Sequence, residues 1–454
     1  MIDASRLGDA DFRSAYRLKY AYTTGSMYKG IASEALVIAM ARAGLIGYFG
    51  TGGLTLDRVA DAITTIGSGI GEGQSFGMNL LHHPGERELE DWTVDLFLSR
   101  GIRFVESAAY TDVAPSVVRY RLRGLTRRPD GTIHAPHFVL AKVSRPEVAR
   151  AFMSPAPEAM VRDLVASGRL TADEAELGRH IPVAGEVCVE ADSGGHTDGG
   201  VAYALMPAML RLRDEVMARY RYQKRIPIGA AGGIGTPEAV AAAFIMGADF
   251  ITTGSINQCT VEAGTSDLVK DMLQDMDVQD TAYAPAGDVF ESGAKIQVLR
   301  KGVFFPGRAN KLYELYTRHN SLEEIDPPTR KQIEEKYFGR SFEEVWAETK
   351  SHYAQRLAGE PTPKQKMALI FRWYFIHTTR LAMRGIPEGK VNYQVHCGPA
   401  LGSFNQWVKG TPLEPWRNRH VADIAERLMN GAASLLSQRL TEIALPSAVA
   451  ALTA

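Results

Sequence analysis

Cysteine is scarce in this chain of 454 residues: Cys188, Cys259 and Cys397 are the only three, and they stand far apart. They form neither a CxxC pair nor an even framework, which excludes a zinc ribbon and a disulfide-stapled fold and points to a reducing cytoplasm. Excess charge is missing too, with 51 Lys plus Arg against 52 Asp plus Glu and a net charge of -1. Without a global field, neither nucleic acid nor a membrane is an expected partner, and an acidic partner must be met by a local patch. No uncharged apolar run approaches the roughly 20 residues of a membrane span. The opening Met1-Ile-Asp-Ala-Ser-Arg has charges where a signal peptide carries its apolar core. A GxGxxG turn after the first predicted strand is also absent, which weighs against an open dinucleotide-binding sheet.

What is present is a globular composition, 45% hydrophobic and 23% charged, enough to bury a large core. The length fits one barrel of about 250 residues with a further domain attached. Up to residue 255 a unit recurs: a short β-branched or aromatic run, a small-residue turn, then helical spacing. Strands are predicted near Tyr22–Ser26, Leu45–Gly50, Ser75–Leu81, Ile102–Ala108, His137–Val143, Val187–Ala191, Ile226–Ala231 and Phe250–Gly254. Between them, Glu86–Arg100 sets Leu89, Trp92, Leu96 and Phe97 in one stripe. Thr236-Pro-Glu opens Thr236–Gly247 with an N-cap, a first-turn proline and an acidic residue. The prediction is an α/β fold: a (β/α)8 TIM barrel over residues 1–265, with a doubly wound sheet as runner-up, and an additional C-terminal helical domain over 266–454. Its helices are expected at Lys311–His319, Pro328–Phe338, Phe342–Arg356 and Lys364–Met383, while Val421–Leu440 reads as a last helix that returns to the barrel wall.

In such a barrel, chemistry belongs at the C-terminal ends of the strands. The seventh strand ends Ala230-Ala-Gly-Gly-Ile-Gly and the eighth Thr252-Thr-Gly-Ser, adjacent loops whose glycines and free amides suit a phosphate dianion; each taken alone is also an ordinary tight turn. After the sixth strand, Glu190-Ala-Asp-Ser-Gly-Gly-His places His196 as an acid or base, or as a loop histidine bonded to Asp192 or Asp198. Lys142, ending the fifth strand, either reaches the mouth or snorkels to solvent. His82 and His83 lie near the mouth, where a structural role fits them at least as well, and Cys259 lacks a paired base and reads as packing. The run Arg119-Tyr-Arg-Leu-Arg-Gly-Leu-Thr-Arg-Arg, five arginines in ten residues, is either a docking face for an acidic carrier or a solvated surface. No metal site is expected.

These loops together resemble the FMN-dependent TIM barrels of the nitronate monooxygenase and FabK-type enoyl reductase group. Longer segments are similar to the PfaD-type trans-acting enoyl reductases of polyketide and polyunsaturated fatty acid synthases: Gly77-Met-Asn-Leu-Leu-His-His-Pro, Ala141-Lys-Val-Ser-Arg-Pro, Phe290-Glu-Ser-Gly-Ala-Lys-Ile-Gln-Val-Leu and Tyr393-Gln-Val-His-Cys-Gly-Pro. The resemblance spans about Tyr20 to Ala432. It implies FMN, NADPH and a 2-enoyl thioester on an acyl carrier protein of the synthase, and leaves a homo-oligomer open. It also implies site residues: Gly25, Ser26, Met27 and Asn79 along the flavin, and Lys142 near its ring. Gly232, Gly233, Gly254 and Ser255 would hold the phosphate, and Glu190, Gly195 and Thr253 are further cofactor-binding residues. His196 would be the first choice of acid and Lys142 the second. Two alternatives remain: a flavin oxidase of the nitronate monooxygenase type, and a non-catalytic docking subunit. The Cys397 motif has no derivable chemistry and is expected to seat the final helix.

Overall fold

Short β-branched and aromatic runs form eight parallel strands that close on themselves in the computed structural model, which describes residues 2–83, 85–353 and 359–444. The strands are β1 (Tyr22–Thr24), β2 (Ile46–Phe49), β3 (Gly77–Leu81), β4 (Phe104–Ala108), β5 (Phe138–Val143), β6 (Glu186–Glu190), β7 (Ile228–Ala231) and β8 (Phe250–Thr253). Closure is explicit: β1 pairs with β2 through Thr23 and Ile46, and with β8 through Tyr22 and Ile251. The open doubly wound sheet is thereby excluded.

One end of the barrel is plugged. The helix Ala10–Tyr16, capped by the Asp9 side chain, sends Phe12 onto Phe250 with ring centroids 4.3 Å apart and Tyr16 onto Phe104 at 4.6 Å. The Tyr16 hydroxyl donates to buried Glu186 at 2.8 Å. Phe250, Phe104 and Glu186 are the first residues of their strands, so the plug sits at the N-terminal end and chemistry is left to the opposite one.

The covering helices follow the predicted signals with one exception. Pro237–Ile245 starts as read, Thr236 accepting from the Ala239 amide, and the helix Val421–Ala444 packs against it. Arg87–Ser99, however, buries Glu90, Val94 and Phe97 and leaves Trp92 53% exposed. The expected stripe is rotated because Glu90 is drawn inward by four donors: the His82 ring, the His83 amide, and the Ser116 and Tyr110 hydroxyls. His82 also stacks on Tyr110, so it anchors the loop after β3. Two arginines of the run go inward. Arg119 pairs with Asp91 and Asp95, and Arg121 is buried and donates to the carbonyls of Pro182 and His137, so neither belongs to a docking face; Arg123, Arg127 and Arg128 are exposed.

The chain divides into two units. The first holds residues 1–192, 199–264 and 407–454, and the second holds 193–198 and 265–406. A cut at 265 therefore marks only one of the crossings. In the first unit the Asp192 amide donates to the Gly200 carbonyl at 2.8 Å, closing the neck of the six-residue excursion. The second unit has a feature the helical reading lacked, a three-stranded antiparallel sheet of Thr281–Pro285, Lys295–Leu299 and Gly195–His196. Its helices are Phe305–Arg318, Pro327–Ile333 with a wider turn to Phe338, Phe342–Tyr353 and Pro363–Arg384; the Arg356 end expected for the third lies outside the described residues. Phe290, Phe305, Phe338, Phe371 and Tyr374 build the core between them. Among the described residues, no helix is long and apolar enough to cross a membrane.

Candidate functional site

At the C-terminal ends of the strands, the first unit gathers polar side chains around a carboxylate that sequence reading missed. Glu106, the middle residue of β4, is fully buried. It accepts from the Ser26 amide at 3.1 Å and the Ser26 hydroxyl at 2.6 Å, and its oxygen lies 3.4 Å from Lys142 Nζ. Lys142 stands 3.7 Å from Glu190 as well. The signal available in the sequence was an acidic residue inside the apolar strand Phe104-Val-Glu-Ser-Ala, since an ionised group is kept in such a place only with partners.

The charge state of Lys142 follows from this setting. Burial alone would lower its pKa, but the carboxylates of Glu190 and Glu106 outweigh burial and hold it above the ordinary lysine range. Lys142 is thus a fixed cation at neutral pH, suited to balancing negative charge and less suited than histidine to donating its proton.

Several predicted cofactor residues surround this pair. Gly25 brings the end of β1 against β8, where a Cβ would stand 3.1 Å from Thr252 Cγ2. The Met27 carbonyl lies so close to Gly50 that no side chain fits there. Asn79 donates to the Glu106 carbonyl at 3.0 Å. The Thr253 hydroxyl is bonded to the Tyr22 hydroxyl at 2.6 Å and accepts from the Asn257 side-chain amide at 3.0 Å, which fixes its place in the wall.

The phosphate loops can be tested for fit. Gly232 and Gly233 follow β7 at φ +85° and +73°, left-handed geometry that glycine adopts without strain and that turns successive amides toward one concave side. A Cβ on Gly232 would strike the carbonyls of Ala191 and Asp192 at 2.7 and 2.9 Å, whereas one on Gly233 or Gly254 would meet nothing within 4 Å. Ala231 and Thr252 are partners in the ladder, so the two loops, with Ser255 opening the short turn Ser255–Gln258, lie side by side. Among the described residues, none accepts a hydrogen bond from the amide of Gly233 or Gly254. An open cradle with undirected amides fits an anionic group such as the FMN phosphate, and the Lys142 cation fits its ring.

Gly195 and His196 belong to the second unit. His196 lies beside Asp288, with Nε2 3.0 Å from Oδ1, a partner that the sequence reading did not name. Burial would raise the pKa of the Asp288 carboxyl, but the hydrogen bond and charge of His196 hold it below its usual range. Such a carboxylate orients the ring and stabilises its cation. The turn is seated by the Cys397 motif: a Cβ on Gly194 would stand 2.7 Å from Cys397 Cα, and one on Gly398 would stand 2.9 Å from the Gly194 nitrogen. His396 bridges to Val298 on the strand that pairs with Gly195–His196. The motif therefore backs the histidine turn. Cys259 is buried and accepts from Arg419 at 3.4 Å, in keeping with packing.

Residues 16–288 match the family described as nitronate monooxygenase, and residues 319–393 match the inserted helical domain of [acyl-carrier-protein] S-malonyltransferase. The chain is 57% identical over 448 residues to the polyketide biosynthesis protein PksE of Bacillus subtilis, covering 98% of this chain and 58% of that protein. It is 44% identical over 418 residues to one of the polyunsaturated fatty acid synthase subunits of a Thraustochytrium species, covering 90% of this chain and 28% of that protein. It thus spans little more than half of the first and under a third of the second. Among solved structures, the enoyl reductase domain of MlnA from the macrolactin cluster of Bacillus amyloliquefaciens superposes with a TM-score of 0.94 at 46% identity, over 97% of this chain and 100% of that one.

Proposed function

From the premise that the chain belongs to the nitronate monooxygenase family, in its PfaD-like branch of enoyl reductases, we propose that it reduces the 2,3 double bond of a 2-enoyl thioester. The thioester is held on the acyl carrier protein of a polyketide or polyunsaturated fatty acid synthase, FMN is the bound cofactor, and NADPH is the reductant. The observation that carries the reading is the likeness to the MlnA enoyl reductase domain along 97% of this chain, which takes in the second unit beyond the residues of the nitronate monooxygenase match. Three buried free thiols fit work in a reducing cytoplasm.

The chemistry supplied by bound FMN is two-electron hydride carriage, from NADPH to Cβ of the enoyl thioester. The amides of Gly232, Gly233 and Gly254 would hold its phosphate. Lys142, kept charged and held in place by Glu106 and Glu190, would balance negative charge on the flavin ring. His196, oriented by Asp288, delivers the proton to Cα. A group that must give up a proton near neutral pH suits histidine, and Lys142, held charged between Glu190 and Glu106, stands second to it as the donor.

The test is anaerobic. The protein is reduced with NADPH, a 2-enoyl pantetheine thioester is added, and the visible flavin absorption is followed. Return of the oxidised band with formation of the saturated thioester is the expected result. A flavin that stays reduced until air and a nitronate are admitted would transfer the assignment to oxidase chemistry. A preparation that takes up no flavin would leave the docking-subunit alternative.

A further inference from the structure

We propose that an exposed patch of the second unit, formed by Phe304, Ile386 and Val391 and rimmed by Arg308, Arg384 and Lys390, docks the acidic carrier domain that presents the thioester; the identity of that partner rests on the enoyl reductase reading. The three apolar side chains are 58%, 37% and 43% exposed, unusual for residues of this size placed together. Hydrogen bonds make the patch continuous. The Phe304 amide donates to the Val391 carbonyl at 2.7 Å, and the Tyr393 hydroxyl donates to the Ile386 carbonyl at 2.8 Å. Arg308 lies over the Phe304 ring at 5.1 Å and donates to Asn392.

Charge selects the occupant. The helix Pro363–Arg384 that ends at the patch carries Lys364, Lys366, Arg372, Arg380 and Arg384 and not one Asp or Glu. Among the described residues, Arg384 and Lys390 have no ion-pair partner, and Glu388 is the carboxylate that stands between them in sequence. An apolar centre with unpaired cations at its rim is complementary to an acidic helical carrier whose arm begins with a phosphodiester. Distance agrees. The segment from Val391 runs alongside the chain that leads back to the histidine turn, through Phe304 to Val391, Leu299 to Val395 and Val298 to His396, with Ile296 opposite His196. Val391 and His396 are five positions apart, a span of at most about 18 Å, and His396 bridges to the strand that faces His196, so the patch lies on the segment that leads to the histidine turn.

The experiment compares two substrates on the full-length flavoprotein: the enoyl group on its carrier protein, and the same group on free pantetheine. Variants are Arg384→Glu with Lys390→Glu, Phe304→Ser, and, as a control, Arg127→Glu with Arg128→Glu on the exposed hairpin of the first unit. The patch variants are expected to lower kcat/KM for the carrier-bound substrate about tenfold, through KM and with a flatter salt dependence, while leaving the pantetheine thioester unchanged. Equal loss on both substrates, no loss on either, or the same loss from the control would overturn the proposal. Loss of self-association in the patch variants without a change in carrier kinetics would also overturn it and assign the face to a second copy of the chain. If the wild-type protein turns over neither thioester, the reductase reading falls. Titration of isotopically labelled carrier protein with wild-type and variant chains then decides the surface by itself.

Discussion

Glu90 shows what one buried carboxylate does in this fold. Although burial works to raise its pKa, the His82 ring, Ser116 and the His83 amide hold it below the usual carboxylate range. Its folded value is depressed, so the stability it gives is fully present above the ordinary carboxylate pKa of about 4.3 and is lost as pH falls through the lower folded value. Glu90→Gln should therefore cost about 2 kcal/mol at pH 7, and the difference from wild type should shrink toward zero in strong acid. Urea unfolding at the two pH values checks this, and a deficit that does not depend on pH would remove the charge from the explanation. Gly254 allows a test of the cradle free of steric contact. A Cβ there meets nothing within 4 Å, although its φ/ψ of -130°/-83° lies outside the regions that side chains favour. Gly254→Ala should fold with a small loss in melting point and yet weaken FMN retention on gel filtration, and full retention of FMN would count against the cradle. Gly232→Val would be a poorer test, because its side chain strikes the Ala191 carbonyl and would harm folding and binding together.

Among the elements, the eight barrel strands were legible because each is a compact β-branched or aromatic run closed by a small-residue turn, and the Thr236 cap was legible because its chemistry is local. The face of Arg87–Ser99 was not, since Glu90 turns inward for donors from the loop after β3 and from Ser116, which periodicity cannot anticipate. The sheet that carries His196 was equally hidden: its strand is two residues long, too short for any pattern, and His196 finds Asp288 across 92 positions of sequence. Sequence therefore pointed to the histidine and missed its partner, just as it pointed to Lys142 and missed Glu106. If the pair acts as one element, His196→Ala should slow enoyl reduction about a hundredfold while FMN content and NADPH-driven flavin reduction persist. Asp288→Asn should reproduce a smaller part of the same loss. Single-turnover reoxidation by the enoyl thioester measures both, and an unaltered rate in Asp288→Asn would confine the role of Asp288 to structure.

On the scale of the whole molecule, the wall of the barrel is not built from consecutive sequence. Val421–Ala444 covers Pro237–Ile245, where a Cβ on Gly431 would already stand 2.7 Å from Pro237, and the His420 ring and Val421 amide bond to Glu262. A chain ended after residue 265 should accordingly fail to give a soluble barrel, whereas supplying 407–454 in trans should recover part of it; sedimentation of the two preparations separates these outcomes.

The same seam sets a schedule on the ribosome. All eight strands are made before Val421 is reached, and at roughly 5–20 residues per second the nascent barrel waits on the order of ten seconds or more for its last helix. Through that interval the apolar face of Pro237–Ile245 lacks the helix that covers it, so aggregation competes with completion of the fold until residue 444 has been made.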